Sequence, residues 1–202
     1  MSGWSNHSGL AVSLPHNNVD TDQIIPARFM SQPRVGGYQD FLFHDVRRDD
    51  KGQLDAAFPL NRFSNASLLI CGNNFGCGSS REAAAYALFD AGIRVVVATG
   101  FGDIFAANSV NNGLLPALLK QQDKEKLDTL VGDGAVECKV DLETKTISTG
   151  LHQFEFKIDE SWRTKLINGW DDIDLTLQFN SQISAFKNTR KQNSSWAWPA
   201  KP

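Results

Sequence analysis

The segment NNFGCGSSRE, residues 73–82, brings together residue types that could bind an anion and move a proton. Gly76 and Gly78 would let a ligand approach the backbone closely. A helix beginning here would direct free N–H groups and the positive end of its dipole at an anion, and Arg81 would add a planar fork suited to a carboxylate. The same field favours ionisation of Ser79 to an alkoxide, which matters if the chemistry needs a strong base.

The same residues also fit a purely structural role. Ser79 as N-cap and Glu82 three residues later form the capping-box pattern, in which each side chain accepts a hydrogen bond from the other residue's backbone N–H. A cap does not require the glycines that precede it, whereas close approach of a ligand does. Both interpretations remain open on the residue pattern alone.

Three common motifs are excluded at particular positions. A Rossmann fingerprint would need a third glycine where Arg81 stands and an acidic residue after the next strand, where Thr99 and Gly100 stand. The chain contains no GxxxxGK[ST] and therefore no P-loop. The nucleophile elbow GxSxG fails because Arg81 and Glu82 stand where its second glycine would be needed.

Two further sets of residues could do chemistry. Cys77, close to a helix start, could be a thiolate nucleophile with His44 or His152 as its base, although a lone cysteine in such a turn is more often a small filler. Asp20 and Asp22 could be paired catalytic carboxylates, but acids two residues apart in a turn more often bond to their own backbone. We favour the structural interpretation for both sets.

Composition limits the classes of partner and cofactor. The four histidines and three cysteines lack metal-ligand spacing, so we expect reduced thiols and no metal site within this chain. The net charge of −3 gives no electrostatic footprint for nucleic acid or an anionic membrane. The first residues show no secretory pattern, and no run reaches the roughly 18 apolar residues of a spanning helix, so we expect a soluble cytoplasmic protein.

The elements that must position the segment indicate an α/β fold. Strands are predicted at 10–14, 66–72 and 94–98, and helices after the second and third strands end at Gly92 and Gly113. Strands that are apolar throughout and alternate with helices indicate a parallel sheet covered by helices. The stretch 34–64 is irregular, and loops of this length are often functional.

The last third of the chain has a different pattern. Two strands around a turn are predicted in 134–149, followed by a strand with Phe154, Phe156 and Ile158 on one face. A helix should run from an N-cap at Asp159 to a stop at Gly169, with another near 181–190. A single domain should therefore occupy 1–202, with its core at about 9–190 and a loose tail at 191–202.

Three stretches in order, NVDTDQIIPARFM, NFGCGSSREAAAYAL with FGDIFAANSVNNGLLP, and LINGWDDIDLTLQ, resemble one family over about residues 9–186. They resemble the small subunits of 3-isopropylmalate dehydratase, which belong to the aconitase superfamily. The resemblance implies a swivelling β/β/α three-layer domain of the aconitase C-terminal type. It also implies that the chain acts only when docked on a large subunit carrying a 4Fe-4S cluster, whose open iron binds the substrate as a Lewis acid.

By position, the resemblance implies roles for individual residues. Ser79 is similar to the superfamily's catalytic serine, whose alkoxide removes the proton from a carbon next to a carboxylate. Ser80 is similar to an adjacent oxyanion and substrate contact, and Arg81 to the arginine that pairs with a substrate carboxylate. Arg34 matches an arginine in the loop that tunes the substrate side chain, with a solvated loop charge as the alternative. The implied reaction isomerises 2-isopropylmalate to 3-isopropylmalate through isopropylmaleate in leucine biosynthesis.

The sequence departs from the family pattern at two positions. Ala83 stands where histidine is usual, and Ala85 where proline is common. Two alternatives therefore stay open. One is a related hydro-lyase subunit for another 2-alkylmalate, citramalate-like or dimethylmalate-like. The other is a non-catalytic module that keeps the swivel fold.

Overall fold

The computed structural model describes residues 2–79 and 81–198, and its central element is a seven-stranded mixed sheet in the order β4-β3-β2-β1-β5-β6-β7. In chain order the strands are β1 (Asn6–Leu14), β2 (Ala66–Cys71), β3 (Val95–Ala98), β4 (Leu115–Leu118), β5 (Val136–Asp141), β6 (Thr146–Thr149) and β7 (His152–Glu155). β1 to β4 pair in parallel, and β5 to β7 continue from β1 in antiparallel pairs. The predicted parallel sheet in the middle of the chain is confirmed.

Burial on both faces explains the apolar strands. β3 lies between β2 and β4, and all four of its residues are buried. Successive residues alternate between two cores, with Leu69 and Val96 in one and Leu68 and Val97 in the other. This alternation follows from the two-residue period of a strand.

The sheet curls until its two edges meet. Leu118 at the end of β4 exchanges two backbone hydrogen bonds, of 3.2 and 2.8 Å, with Lys157, which lies just past β7. Ile147 and Phe154 of the antiparallel half therefore pack in the same core as Leu68 of the parallel half. The curled sheet supplies two β layers, and helices on the opposite face of the parallel strands supply a third.

Eight helices are present in the described residues. They are α1 (Thr21–Ile24), α2 (Pro59–Arg62), α3 (Glu82–Asp90), α4 (Asp103–Asn111), α5 (Gln121–Val131), α6 (Glu160–Asn168), α7 (Asp172–Leu177) and α8 (Asn180–Asn193). Gly92 and Gly113, just past α3 and α4, adopt φ angles of +92° and +80°, as glycines that end helices do. Asp159 caps α6 and Gly169 ends it in the left-handed conformation, so both predicted limits of this helix are confirmed.

The sequence prediction missed β4 and four helices, which are α1, α2, α5 and α7. β4 contains Pro116, which lacks the N–H needed inside a sheet, but an edge strand tolerates it because only one side is paired. α5 is mostly polar, and its buried residues are confined to Lys124, Leu127 and Val131. A short proline-bearing strand and a helix with so narrow an apolar stripe give weak sequence signals.

The two segments predicted to be irregular differ in outcome. Residues 34–64 are mostly irregular, as predicted, with 3-10 turns, the four-residue α2 and one isolated bridge between Arg48 and Leu54. Tyr38 and Phe43 from this stretch are nevertheless buried in the core. The predicted loose tail at 191–202 begins inside α8, and Ser195–Ala197 form a 3-10 turn. Its last four residues lie outside the described ranges.

Within the described ranges, no helix has the length and apolarity needed to cross a membrane.

Candidate active site

The segment 73–82 lies at the carboxyl end of β2, between the loops that follow β1 and β3. Phe75 N–H donates to Gly100 O at 3.0 Å on one side, and Gly76 N–H donates to Val19 O at 2.7 Å on the other. The carboxyl ends of adjacent parallel strands are where α/β folds build their ligand sites. The structure therefore places the candidate residues where this architecture favours a site.

The glycines of the segment are required by contacts within the chain itself. Gly76 has a φ of +73°, and a Cβ atom there would lie 2.2 Å from the ring of Phe105. Gly78 has a φ of +88°, and a Cβ atom there would lie 2.7 Å from Asp20 Oδ2. The sequence pattern suggested close approach of a ligand, whereas the structure shows close approach of the protein's own side chains.

We expect Gly76→Ala to lower the free energy of unfolding by more than Gly52→Ala does. Both glycines have φ near +75°, but nothing lies within 4 Å of a Cβ atom at Gly52. Left-handed strain should cost about 1–2 kcal/mol in each variant, and the collision with Phe105 should add about 1–3 kcal/mol at Gly76. Chemical denaturation of the two variants checks this, and equal losses would show that the loop relaxes around the added methyl group.

The predicted capping box at the start of α3 is wrong. Arg81, not Ser79, is the N-cap residue, and no side-chain hydrogen bond caps this end of the helix in the described residues. The backbone carbonyl of Ser79 accepts a hydrogen bond of 2.7 Å from Thr21 Oγ1. Glu82 accepts from Asn112 Nδ2 at 3.1 Å. The Ser79 residue is exposed and has no capping role.

Arg81 forms an ion pair with Asp22 of α1. Its side chain is only 16% exposed, against 50% for Asp22. The Nη1 atom of Arg81 is the one that contacts the Asp22 carboxylate, which balances the charge of the guanidinium. A guanidinium carries five N–H donors, so the fork can bind a second carboxylate as well.

The two aspartates before the segment have different roles. Asp20 caps α1, accepting from Asp22 N–H at 2.5 Å, so the turn interpretation of Asp20 is confirmed. The same interpretation is wrong for Asp22, because its carboxylate reaches Arg81. The sequence reasoning also missed Thr21, which is buried and whose N–H donates to Cys77 O at 3.0 Å. The Asp20-to-Gln23 capping pattern was the one available signal for α1.

The structure does not bring Arg34 to Ser79. Its Nε and Nη2 atoms donate to the two carboxylate oxygens of Asp90 at 3.1 and 2.8 Å, and its guanidinium lies 3.7 Å from the ring centroid of Tyr86. Burial opposes ionisation of Asp90, but the bonds from Arg34 and from Tyr38 N–H outweigh it and lower the pKa of this carboxyl. Asp90 is the last residue of α3, about 13 Å along the helix from Arg81. Arg34 stays a prediction as a substrate contact, and that contact would require the pair with Asp90 to open.

Ser80 lies outside the described residues, so its predicted role as a substrate contact is untested.

The departures from the family pattern are both accommodated by α3. Ala83 packs partly buried against the core, and Ala85 is fully buried. Neither position contributes a polar group to the site.

The predicted free thiols are confirmed, because Cys71, Cys77 and Cys138 form no disulfide. His44 contacts Asp45 and His152 stacks on Phe154, so among the described residues neither histidine is assembled with Cys77 as a base. Residues 2–79 and 81–198 also contain no group of three or more metal-ligating side chains.

The chain is similar in sequence to one known family and to several of its members. The model of the aconitase C-terminal domain matches residues 1–122. Proteins named 3-isopropylmalate dehydratase small subunit from Bacillus cereus (strain AH820) and Bacillus anthracis are each 43% identical over 183 residues, covering 90% of this chain and 94% of theirs. The one from Bacillus cytotoxicus is 42% identical over 189 residues, covering 93% and 97%.

A solved structure shares the fold. The crystal structure of 3-isopropylmalate dehydratase from Methanocaldococcus jannaschii matches with a TM-score of 0.64 and covers 90% of this chain and 99% of that one. Its sequence identity is 24%, so this likeness concerns the fold alone. The predicted α/β fold of the aconitase C-terminal type is confirmed.

Proposed function

Because this chain belongs to the aconitase C-terminal domain family and, within it, to the small subunits of 3-isopropylmalate dehydratase, we propose that its segment 73–82 supplies the base and the carboxylate anchor of that enzyme. The protein is a hydro-lyase subunit of leucine biosynthesis that works with a large subunit. Its reaction isomerises 2-isopropylmalate to 3-isopropylmalate through isopropylmaleate. We place the complex in the cytoplasm.

The observation that supports this assignment most is the pairing of an exposed serine with a nearly buried arginine at one loop. Ser79 is exposed, and Arg81 lies two residues further on with its guanidinium largely buried. The amino end of α3 creates a positive field that favours the alkoxide form of Ser79. The same field holds a dicarboxylate substrate close to this base.

In the dehydration step, the alkoxide of Ser79 takes the proton from the carbon next to one carboxylate while the C–O bond at the neighbouring carbon breaks. A proton from solvent converts the departing hydroxide into water, and Ser79 keeps the abstracted proton until rehydration. Arg81 holds a substrate carboxylate through its fork while the double bond of isopropylmaleate forms. Rehydration returns the proton and the hydroxyl to exchanged carbons. The proposed 4Fe-4S cluster of the large subunit supplies Lewis-acid help for the leaving hydroxyl when it is bound.

An exposed catalytic loop on this subunit alone leaves the reaction open to water. A second surface is needed over Ser79 to exclude solvent and strengthen the electrostatic contacts with the substrate. We propose that the cluster-bearing large subunit provides that surface. Ser80 remains the proposed adjacent substrate contact.

The proposed function is tested by mixing the chain with its cognate large subunit under anaerobic conditions and adding 2-isopropylmalate. Formation of the unsaturated acid should increase the ultraviolet absorbance. Other 2-alkylmalates serve as comparison substrates, since a related hydro-lyase would prefer one of them. No absorbance change with any of these substrates would favour a non-catalytic module.

We further propose that Asp22 is a positioning residue that orients the Arg81 fork. Asp22→Asn should reduce kcat/KM about tenfold, mainly by raising KM, because the guanidinium would lose its partner and its fixed direction. Steady-state kinetics on the reconstituted complex separates the two parameters. Asp45→Asn is the matched control, since Asp45 also pairs with an arginine but at an exposed place on the surface. Equal kinetics for both variants would remove Asp22 from the site.

A further inference from the structure

The C-terminal docking segment, which we define as α7 and α8 (residues 172–193), carries large apolar side chains that the described part of the chain leaves exposed. Ile173, Leu177, Phe179 and Phe186 are each more than half exposed. None of the fourteen residues of α8, all of which the structure describes, is buried. Clusters of exposed apolar side chains on a soluble protein mark interaction surfaces.

The apolar side chains form one stripe along α8. Phe179, Ile183 and Phe186 are spaced at i, i+4 and i+7, which places them on the same face of the helix. Arg190 continues that face at its C-terminal end. The stripe is therefore a narrow apolar strip that ends in a cation.

The charges of α8 all have one sign. Lys187, Arg190 and Lys191 give the helix a charge of +3, and its sequence contains no acidic residue. The whole chain carries −3, so the remainder of the chain carries −6. A surface that matches α8 must therefore combine an apolar groove with carboxylates beside it.

The helix needs such a surface to persist. Isolated helices shorter than about 12–15 residues are marginal in water, and most helix stability in proteins comes from packing of an apolar face. The closest packing of α8 is with the 3-10 turn at Ser195–Ala197, which is itself a short element. The stripe on α8 thus has little to stabilise it within this chain.

The docking segment is attached to the domain through α6 and the C-terminal end of α4. Lys165 of α6 is buried, and its Nζ atom donates to Asn111 Oδ1 at 3.1 Å and forms an ion pair with Asp172 at the start of α7. Asn111 is the last residue of α4, and the next residue, Asn112, donates to Glu82. The anchor of the docking segment therefore lies close to the start of α3, and the apolar stripe lies further along the chain, on α8.

We propose that the docking segment binds the large subunit by laying Phe179, Ile183 and Phe186 into an apolar groove flanked by carboxylates. This inference rests on the proposed function, which requires a stable complex of two chains. Packing of α8 on α8 of a second copy would oppose two helices of charge +3, which is unfavourable. The other surface that suits a basic helix with an apolar face is an anionic membrane, and binding to vesicles is therefore one outcome of the test below.

The test is the affinity of the purified full-length chain for its purified large subunit, measured by titration calorimetry under anaerobic conditions. Phe186→Asp should weaken binding about tenfold or more, since it places a carboxylate in the apolar stripe facing acidic groups. Turnover at saturating large subunit should equal that of the unsubstituted chain, because Phe186 lies outside the catalytic loop. Hydrogen exchange of α8 amides should slow on adding the large subunit.

Leu151→Asp is the matched control, because Leu151 is a fully exposed apolar residue on the turn between β6 and β7. The Leu151→Asp variant should bind the large subunit with unchanged affinity. Unchanged affinity for Phe186→Asp would overturn the proposal, as would a change confined to self-association or to binding of phosphatidylserine vesicles. Calorimetry detects binding without turnover, so failure of the proposed reaction and failure of this docking surface are distinguishable.

Discussion

Ser79→Ala is expected to lower the turnover of the reconstituted complex by at least about 10²- to 10⁴-fold, the usual contribution of a positioned general base. The hydroxyl is the one group lost, and the Ser79 carbonyl that accepts from Thr21 is kept. Because Ser79 does not cap α3, the free energy of unfolding should stay within about 0.5 kcal/mol. Turnover is measured by the absorbance of isopropylmaleate, and stability by thermal and chemical unfolding.

Ser64→Ala is the control for this experiment, since Ser64 is also exposed but lies before β2, away from the loop. It should leave both turnover and stability unchanged. Wild-type turnover in Ser79→Ala, with a normal melting profile, would show that another group removes the proton. Loss of turnover together with loss of stability would instead reveal a structural role that the geometry does not show.

Arg81→Lys should produce the second large effect. Lysine keeps the positive charge but loses the planar fork, so one substrate carboxylate oxygen and the Asp22 carboxylate would compete for a point charge. Leaving a buried carboxylate poorly paired costs about 2–5 kcal/mol, which corresponds to a loss of about 30-fold to several thousand-fold in kcat/KM. Steady-state kinetics at several substrate concentrations measures this loss.

Arg28→Lys provides the matched comparison, because Arg28 also pairs with an aspartate but both side chains are more than half exposed. An exposed pair of this kind contributes little, so its kinetics should be unchanged. Combining Arg81→Lys with Asp22→Asn should give less than the sum of the two separate losses, since the residues share one contact. Near-normal kcat/KM for Arg81→Lys would refute the role of the fork.

The sequence correctly predicted those strands and helix ends whose signals lie within a few neighbouring residues. Continuous apolar residues identified β2 and β3, and the glycines after α3 and α4 marked helix ends, because these signals act within a few residues. β4 was missed since its proline is acceptable only at an edge, and a position in the sheet cannot be read from the strand itself. The prediction also missed the polar helix α5, because only a narrow stripe of it is buried and the sheet on which it packs determines that stripe.

At the candidate site, the residue types were predictable and their partners were not. Ser79 and Arg81 were singled out from one short segment, but the bond from Thr21, far away in sequence, to the Ser79 carbonyl was not predicted. Asp22 was misjudged for the same reason, since nothing next to it in the chain reveals Arg81. The resemblance supplied the reaction, while the structure supplied the contacts that now allow the roles to be separated experimentally.

The closure of the curled sheet affects the tendency of the free subunit to aggregate before it binds the large subunit. An open sheet edge is a template on which other chains add strands, and such addition leads to aggregation. Here Leu118 is already bonded to Lys157, and Pro116 in β4 offers no N–H to an incoming strand. A chain made separately from its large subunit thus keeps its edge strand closed to misassembly while its docking helix stays exposed for the correct encounter.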